Sequence, residues 1–500
     1  MFDHQFGTMP ELIRMHAVQQ PRHPALLQDG RRIDYAQLDA LMDRAAAALQ
    51  RDGLAQGDGI AICALASMEY AAVFLAALRA GVVVAPLAPS STPEQLAGMV
   101  ADSGAKLLFH DRGTAADLPA HPRRIAMDEA AFKAWLAPAG AKPRPVRAEP
   151  EQAFNIIYSS GTTGTPKGIV QPNSMRWAQV LRASALGYGP DSVTLLSTPL
   201  YSNTTLVCLF PSLAYGGAVV LMAKFDACRF LELAQKHRAT HAMLVPVQYR
   251  RIMALPDFGD YDLSSFRMKL STSAPFAAAL KAEVLARWPG GLTEYYGMTE
   301  GGGTLILAAH EHSDKLHTVG KPAPGHDIRL IDESGREVAP GETGEVVGHS
   351  GMMMTGYHNQ PQMTADTEWR SDGKRFIRTG DVGRFDADGF LTLMDRRKDI
   401  IISGGFNIYP TDLEAAVHAH PAVAEVAVVG VPSEQWGETP VAFVVLAEGK
   451  RAAPAEILAA ANAKLGKMQR ISAVEFVDAL PRSAIGKVLK RELREQYALR

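Results

Sequence analysis

The sequence predicts a mixed α/β fold in two parts: a large N-terminal domain of parallel-sheet subdomains with a β-rich portion, residues 1–395, and a small α+β domain, residues 396–500. Three observations carry that prediction. Five hundred residues exceed what a single compact core holds. Helical and strand-like apolar patterns alternate from about residue 10 to residue 110 and recur to residue 288, as a largely parallel sheet requires. Beyond Asp395 the chain carries its own inventory of helices and strands.

Taken in order, residues 38–49 carry a helical apolar stripe, 59–64 read as a buried strand and 70–79 as a second helix. Residues 137–150 hold four prolines among Lys and Arg and read as a surface connection. A buried strand at 153–157 and a return to the sheet at 169–170 flank a polar loop, and the strands 219–222 and 242–245 and a helix at 277–288 follow. Glycine-rich turns and short β segments dominate to residue 394. Residues 400–402 then read as a buried strand running into Gly404 and Gly405. Thr411 with Glu414 forms a capping box that launches a short helix ending near Pro421. Strands at 423–431 and 441–446, a helix at 454–465 and a strand at 473–477 complete the small domain.

Composition narrows the function. With 47% hydrophobic and 21% charged residues the chain is an ordinary globular protein, and 51 Lys plus Arg against 53 Asp plus Glu leave no field suited to nucleic acid. Cys63, Cys208 and Cys228 lack the spacing of a zinc site and fit a reducing, cytoplasmic setting. The start has no export signal, and the most apolar stretch, residues 71–84, is interrupted by Arg79 and Gly81, so no transmembrane segment is expected. His310, His312 and His317 have no carboxylate or thiolate partner set and read as structural or solvent-facing.

The densest chemistry lies at residues 158–168, Tyr-Ser-Ser-Gly-Thr-Thr-Gly-Thr-Pro-Lys-Gly, between the two strand patterns. Ser159, Ser160, Thr162 and Thr163 offer donors and Lys167 offers charge, while Gly161, Gly164 and Gly168 let backbone approach a phosphate. It is not a Walker A loop, because Pro166 and Gly168 replace the required Gly and Ser/Thr. Residues 295–300, Tyr-Tyr-Gly-Met-Thr-Glu, follow a predicted strand and supply an aromatic plate, a hydroxyl and an oxygen ligand for Mg²⁺. Asp381, after a glycine turn, is placed to accept ribose hydroxyls. Each of these has a plain alternative: a polar linker, a turn and a β-turn aspartate. Five charged residues at 395–399 fit a solvated linker, and Lys487 a surface lysine.

In this order the segments resemble the adenylate-forming superfamily of acyl-CoA synthetases, nonribosomal adenylation domains and luciferases, over most of the chain. The resemblance implies ATP, Mg²⁺ and coenzyme A as cofactors and a small carboxylic acid as substrate. It assigns residues 159–167 to phosphate, Ser273, Ala274, Pro275 and Tyr296 to adenine, and Asp381 and Arg396 to ribose. Thr299 and Glu300 serve catalysis, Glu300 as the metal ligand, and Lys398 is the hinge. Gly404 and Gly405 border the thiol tunnel, and Lys487 is the catalytic lysine of the mobile domain. A carboxylate would attack the α-phosphate to give acyl-AMP and pyrophosphate, and coenzyme A would then displace AMP. Positive charge is needed where the two anions meet. A lysine acetyltransferase acting on Lys487 would remove part of it.

The implied acyl pocket contains Ser202, Asn203, Tyr295 and Gly297. Ser202 stands where family members often carry His, and Gly297 where acetate enzymes place Trp, which argues for an acid larger than propionate, medium-sized aliphatic or aryl. Tyr295 narrows a position often held by glycine in hydroxycinnamate enzymes. Two rival readings remain: a stand-alone acyl-AMP ligase that loads a carrier protein, and a nucleotide-binding regulatory protein without chemistry.

Overall fold

The computed structural model describes residues 5–121, 123–159, 167–396, 399–403, 406–434, 436–466, 469–482 and 487–498, with backbone alone at 395, 396, 406 and 407. The chain is a mixed α/β protein that divides into two compact units, residues 1–327 with 348–377 and residues 328–347 with 378–500. The boundary expected at 395/396 falls inside the second unit, where residues 381–385 pair antiparallel with Leu391–Arg396.

Among the described residues, two sheets lie wholly within the first unit. One runs in the order Gly356–Tyr357, Lys167–Pro172, Ala153–Ser159, Val83–Leu87, Gly59–Cys63, Ala105–His110, Arg124–Ala126. Its last five strands are parallel, while Lys167–Pro172 is antiparallel to both of its neighbours. The other contains parallel strands Gly291–Gly297, Met268–Ser271, His241–Leu244, Val193–Leu196, Ala218–Leu221 and Pro24–Gln28, extended by antiparallel edges. One apolar core joins them: Ile60, Ile62 and Val84 from the first sheet and Leu196, Val219 and Leu270 from the second. Helices Tyr35–Arg51, Met68–Arg79 and Asn203–Ala214 supply much of the filling, and Phe74, Phe154 and Phe210 meet with ring centroids 5.1–6.0 Å apart.

Arg79, which breaks the apolar run 71–84, is buried and donates to the Asp39 and Asp43 carboxylates at 2.6 and 2.9 Å. Arg14 and Lys142 complete the Asp43 site at 2.6 and 2.5 Å. Lys142 belongs to the proline-rich connection, which is strapped to helix Tyr35–Arg51 by Arg44 on the Ala137 carbonyl and Gln50 on the Arg144 backbone. No described helix is long and apolar enough to cross a membrane.

In the second unit Val423–Ser433 and Gly437–Leu446 form a long antiparallel pair, with Ala473–Phe476 parallel to the latter. Two local expectations change. The helix Pro410–His418 starts two residues earlier than the capping box requires, with Tyr409 at the N-cap. Proline at the first helical position is preorganised for that start. The Glu414 carboxylate instead accepts from the Val428 N–H and pairs with Lys490. The run at 400–402 is not buried throughout: Ile401 is, but Ile402 is 57% exposed, because successive strand residues face opposite sides.

Candidate active site

The site is organised where strand Lys167–Pro172 passes between its two neighbours. Residues 160–166, and with them Ser160, Gly161, Thr162, Thr163 and Gly164, lie outside the described residues, but both ends of the loop are placed, Ser159 opposite Lys167 and Tyr158 opposite Gly168. Gly168 is closely packed: a Cβ there would come within 2.9 Å of the Ile156 side chain, 3.1 Å of the Tyr158 ring and 3.2 Å of the His358 side chain. Its absence lets strand Gly356–Tyr357 close on the sheet, with the His358 N–H donating to the Gly168 carbonyl at 2.7 Å.

That pairing brings Tyr357 between the two charged groups. The Lys167 ammonium lies 5.4 Å from the Tyr357 ring centroid, and the Tyr357 hydroxyl donates to Glu300 Oε1 at 2.8 Å. Burial first, and then the Glu300 charge, push the Tyr357 phenol well above its ordinary pKa, so it stays a donor. The Glu300 backbone is held as well, since its carbonyl accepts from the Met354 N–H at 2.8 Å. Gly301 makes the turn that follows at φ +82°, where any Cβ would collide with the Met352 carbonyl at 1.9 Å.

Tyr295, Tyr296 and Gly297 are part of strand Gly291–Gly297 rather than following it, because they pair with Ile306, Leu305 and Thr304 of the next strand. Thr299 is reached from beneath. Buried Gln171 donates to its carbonyl at 2.7 Å and to Asn203 Oδ1 at 3.5 Å. Gln171 is held by fully buried Arg176, which also donates to Asn155 Oδ1 at 3.0 and 3.2 Å and to Gln179 Oε1 at 2.8 Å. Burial without a carboxylate lowers the Arg176 pKa to about 9.

Ser273 adopts φ +79°, an uncommon conformation for a residue with a Cβ. Its hydroxyl shares a 2.6 Å hydrogen bond with Thr204, in the first turn of helix Asn203–Ala214. Ser202 caps that helix, accepting from the Thr204 N–H at 3.3 Å. The turn Ser273-Ala274-Pro275 is thus fastened to the start of the helix carrying Asn203. Tyr295 packs against the main core, and Gly297 is exposed with Gly303 O 3.3 Å from where its Cβ would lie.

Asp381, Arg396 and Lys487 lie in the second unit, and Asp381 stands directly opposite Arg396 in its ladder. Lys398, Gly404 and Gly405 fall outside the described residues. Tyr357, Gln171, Arg176 and Asn155 form no motif in the sequence. The available signal was a polar residue inside an apolar strand pattern, Asn155 in 153–157 and Gln171 after 169–170, since a buried amide needs a specific partner.

The family of AMP-binding enzymes matches residues 13–358, and its C-terminal domain matches residues 412–487. The chain is 35% identical to a feruloyl-CoA synthase from Amycolatopsis over 95% of its length and 96% of the relative's. It is 33% identical to a fatty acid–[acyl-carrier-protein] ligase from Streptomyces coeruleorubidus, over 99% and 97%. Among solved structures, ATP-bound MatB from Rhodopseudomonas palustris superposes with a TM-score of 0.89 at 30% identity, covering 98% of this chain and 99% of that one. The chain belongs to the AMP-binding, adenylate-forming family. Within it, the protein is an ATP-using ligase of the acid–thiol class.

One prediction arises from Gly297. Gly297 is exposed, and a side chain there would press on the Gly303 carbonyl, 3.3 Å from its Cβ; with Gly297 in the acyl pocket, as the resemblance implies, Gly297→Trp is expected to shift acid preference toward acetate or propionate, by roughly 1–3 kcal/mol per methylene excluded. The ratio of kcat/KM for hexanoate and acetate measures this, and an unchanged ratio would place the acyl pocket elsewhere.

Proposed function

We propose that the protein is a carboxylic acid–coenzyme A ligase for a medium-sized aliphatic or aryl acid, acting in the cytoplasm. The acid's carboxylate oxygen attacks the α-phosphate of ATP and pyrophosphate leaves; the thiol of coenzyme A then attacks the acyl carbon of the adenylate, and AMP leaves. The observation that carries the first step is the Lys167–Tyr357–Glu300 assembly at the end of the loop 160–166, a cation and an oriented carboxylate beside a hydroxyl-rich segment. Lys487 is assigned to the first step as a further cation, and acetylation by a lysine acetyltransferase would silence it. Asp381 and Arg396 are assigned to ribose, Ser273 to Pro275 and Tyr296 to adenine, and Lys398 to the hinge of a mobile C-terminal domain, residues 396–500.

The residues fit Mg²⁺. The described residues contain no group of three or more His, Cys, Asp or Glu able to hold a metal by themselves. Magnesium is commonly bound by one or two carboxylates together with substrate phosphates, and Glu300, with one oxygen oriented by Tyr357, is such a ligand. Bound there, the ion would supply positive charge against the triphosphate.

Glu300→Gln keeps the shape of the side chain and removes its charge. It is expected to abolish most acyl-adenylate formation without lowering Tm, read as acid-dependent pyrophosphate release alongside a thermal melt. Wild-type release at ordinary Mg²⁺ would remove Glu300 from the site. The 33% identity to a carrier-protein ligase supports a second reading, in which the thiol belongs to a carrier protein. Thioester formation with free coenzyme A and with a phosphopantetheinylated carrier separates the two.

A further inference from the structure

Arg182 ends the helix Asn173–Arg182, and its guanidinium lies over the Tyr295 ring, 5.7 Å from the centroid. The other strongly buried cations of the first unit are provided for. Arg79 has Asp39 and Asp43, Arg176 has three side-chain amides, Lys269 has the carbonyls of Trp288, Pro289 and Gly290, and Lys281 has Glu294. Arg182 is not. Its Nη1 is sealed from water without a hydrogen-bond partner, although the residue as a whole keeps some exposure. Burial lowers its pKa, and only the Tyr295 phenol opposes that.

The surroundings are those of the acyl pocket as read above. Tyr295 and Gly297 share one face of their strand, since strand side chains alternate. Thr304, opposite Gly297, donates its N–H to His326 Nδ1 at 2.8 Å. Burial, and next the Arg182 charge, hold His326 down to about 4, so it is neutral near pH 7 and leaves Arg182 as the charged group there. A guanidinium without an anion beside a ligand pocket is suited to a carboxylate, which it binds with two parallel N–H donors.

We propose that Arg182 is a specificity determinant, and that the preferred acid carries a second anionic oxygen, as in a dicarboxylic acid, at the end remote from the reacting carboxylate. This rests on the ligase reading and on Tyr295 and Gly297 bounding the acyl pocket. The second oxygen supplies the missing partner of Arg182, while a plain hydrocarbon end leaves that cation unpaired. Sites that hydrogen-bond a substrate group discriminate strongly against analogues lacking it.

The test uses the full chain with ATP and Mg²⁺ and acids matched in length: hexanoate against adipate, and 3-phenylpropanoate against its 4-hydroxy and 4-carboxy derivatives. In the wild type, kcat/KM for pyrophosphate release is expected to favour the second-carboxylate acid by at least about tenfold. Arg182→Met is expected to lower that ratio at least about tenfold, and Arg182→Lys less, because it keeps charge but not the fork. If Arg182→Met does not fold, the wild-type profile and Arg182→Lys decide. Release with no preference for a second carboxylate, a preference for the 4-hydroxy acid alone, or a ratio unmoved in the Arg182 variants overturns the inference and leaves the ligase reading standing. No release with any acid overturns both.

Discussion

Lys487→Ala is expected to slow acyl-adenylate formation by on the order of 10²–10³, about 2.7–4 kcal/mol, and to leave thioester formation from supplied acyl-adenylate within a few-fold of wild type. The size is that of losing one preorganised electrostatic donor where charge builds up in the transition state. Lys487 adjoins Val488, which pairs with Arg482, and the Leu489 N–H donates to the Pro481 carbonyl at 2.8 Å. The flanking residues are anchored by Arg482 on Glu425 and by Lys490 on Glu414, at 3.0 and 2.9 Å. A lysine on such a tethered segment can be placed reproducibly with little ordering cost when ATP and acid are bound. Pyrophosphate exchange reads the first step, and chemically made acyl-adenylate plus thiol reads the second. An equal fall in both would show that Lys487 does not serve the first step selectively.

Asp43→Ala is expected to cost about 3 kcal/mol of folding stability at pH 7, the low end for breaking a buried ion pair, because Arg79 keeps Asp39. Asp43 is 1% exposed. Burial alone would raise its pKa, but the Lys142 hydrogen bond and the charges of Arg79 and Arg14 outweigh burial and hold it below the ordinary carboxylate value. A depressed folded-state pKa contributes stability that is present above the unfolded value, about 3.9, and is lost as pH falls through the folded value. The gap between wild type and variant in urea denaturation is therefore expected to be full at pH 6–7 and to narrow below about pH 4. A gap that stays constant down to pH 3 would mean that the ion cluster contributes packing and not charge.

The candidate site could be proposed from the sequence because phosphate chemistry needs a local run of residues. The loop 158–168 and the segment 295–300 each carry donors, glycines and charge within about ten positions, and a strand on either side of the loop could be read from apolar runs. What surrounds them was not. Tyr357 reaches Glu300 only because strand Gly356–Tyr357 docks on Lys167–Pro172, a pairing between segments nearly two hundred residues apart. No periodicity announces it. The packing of Gly168 was hidden for the same reason: its conformation is unremarkable, and a Cβ there would crowd the Ile156, Tyr158 and His358 side chains.

Local patterns by themselves determined the α/β class, the alternation of elements and the membership in an adenylate-forming family, since propensity, hydrophobic period and motif spacing are properties of neighbouring residues. They also misplaced the start of helix Pro410–His418, where the Thr411–Glu414 spacing fits a cap but Glu414 is drawn to Val428 and Lys490. The tertiary structure decided which cations are paired and which are not. Arg79, Arg176 and Arg182 look alike in the sequence, each an arginine in an amphipathic helix. Packing gives the first two carboxylate or amide partners and leaves the third over Tyr295 with an unmatched N–H. Burial of charge and its compensation depend on residues distant in the chain, so only the assembled fold reveals them.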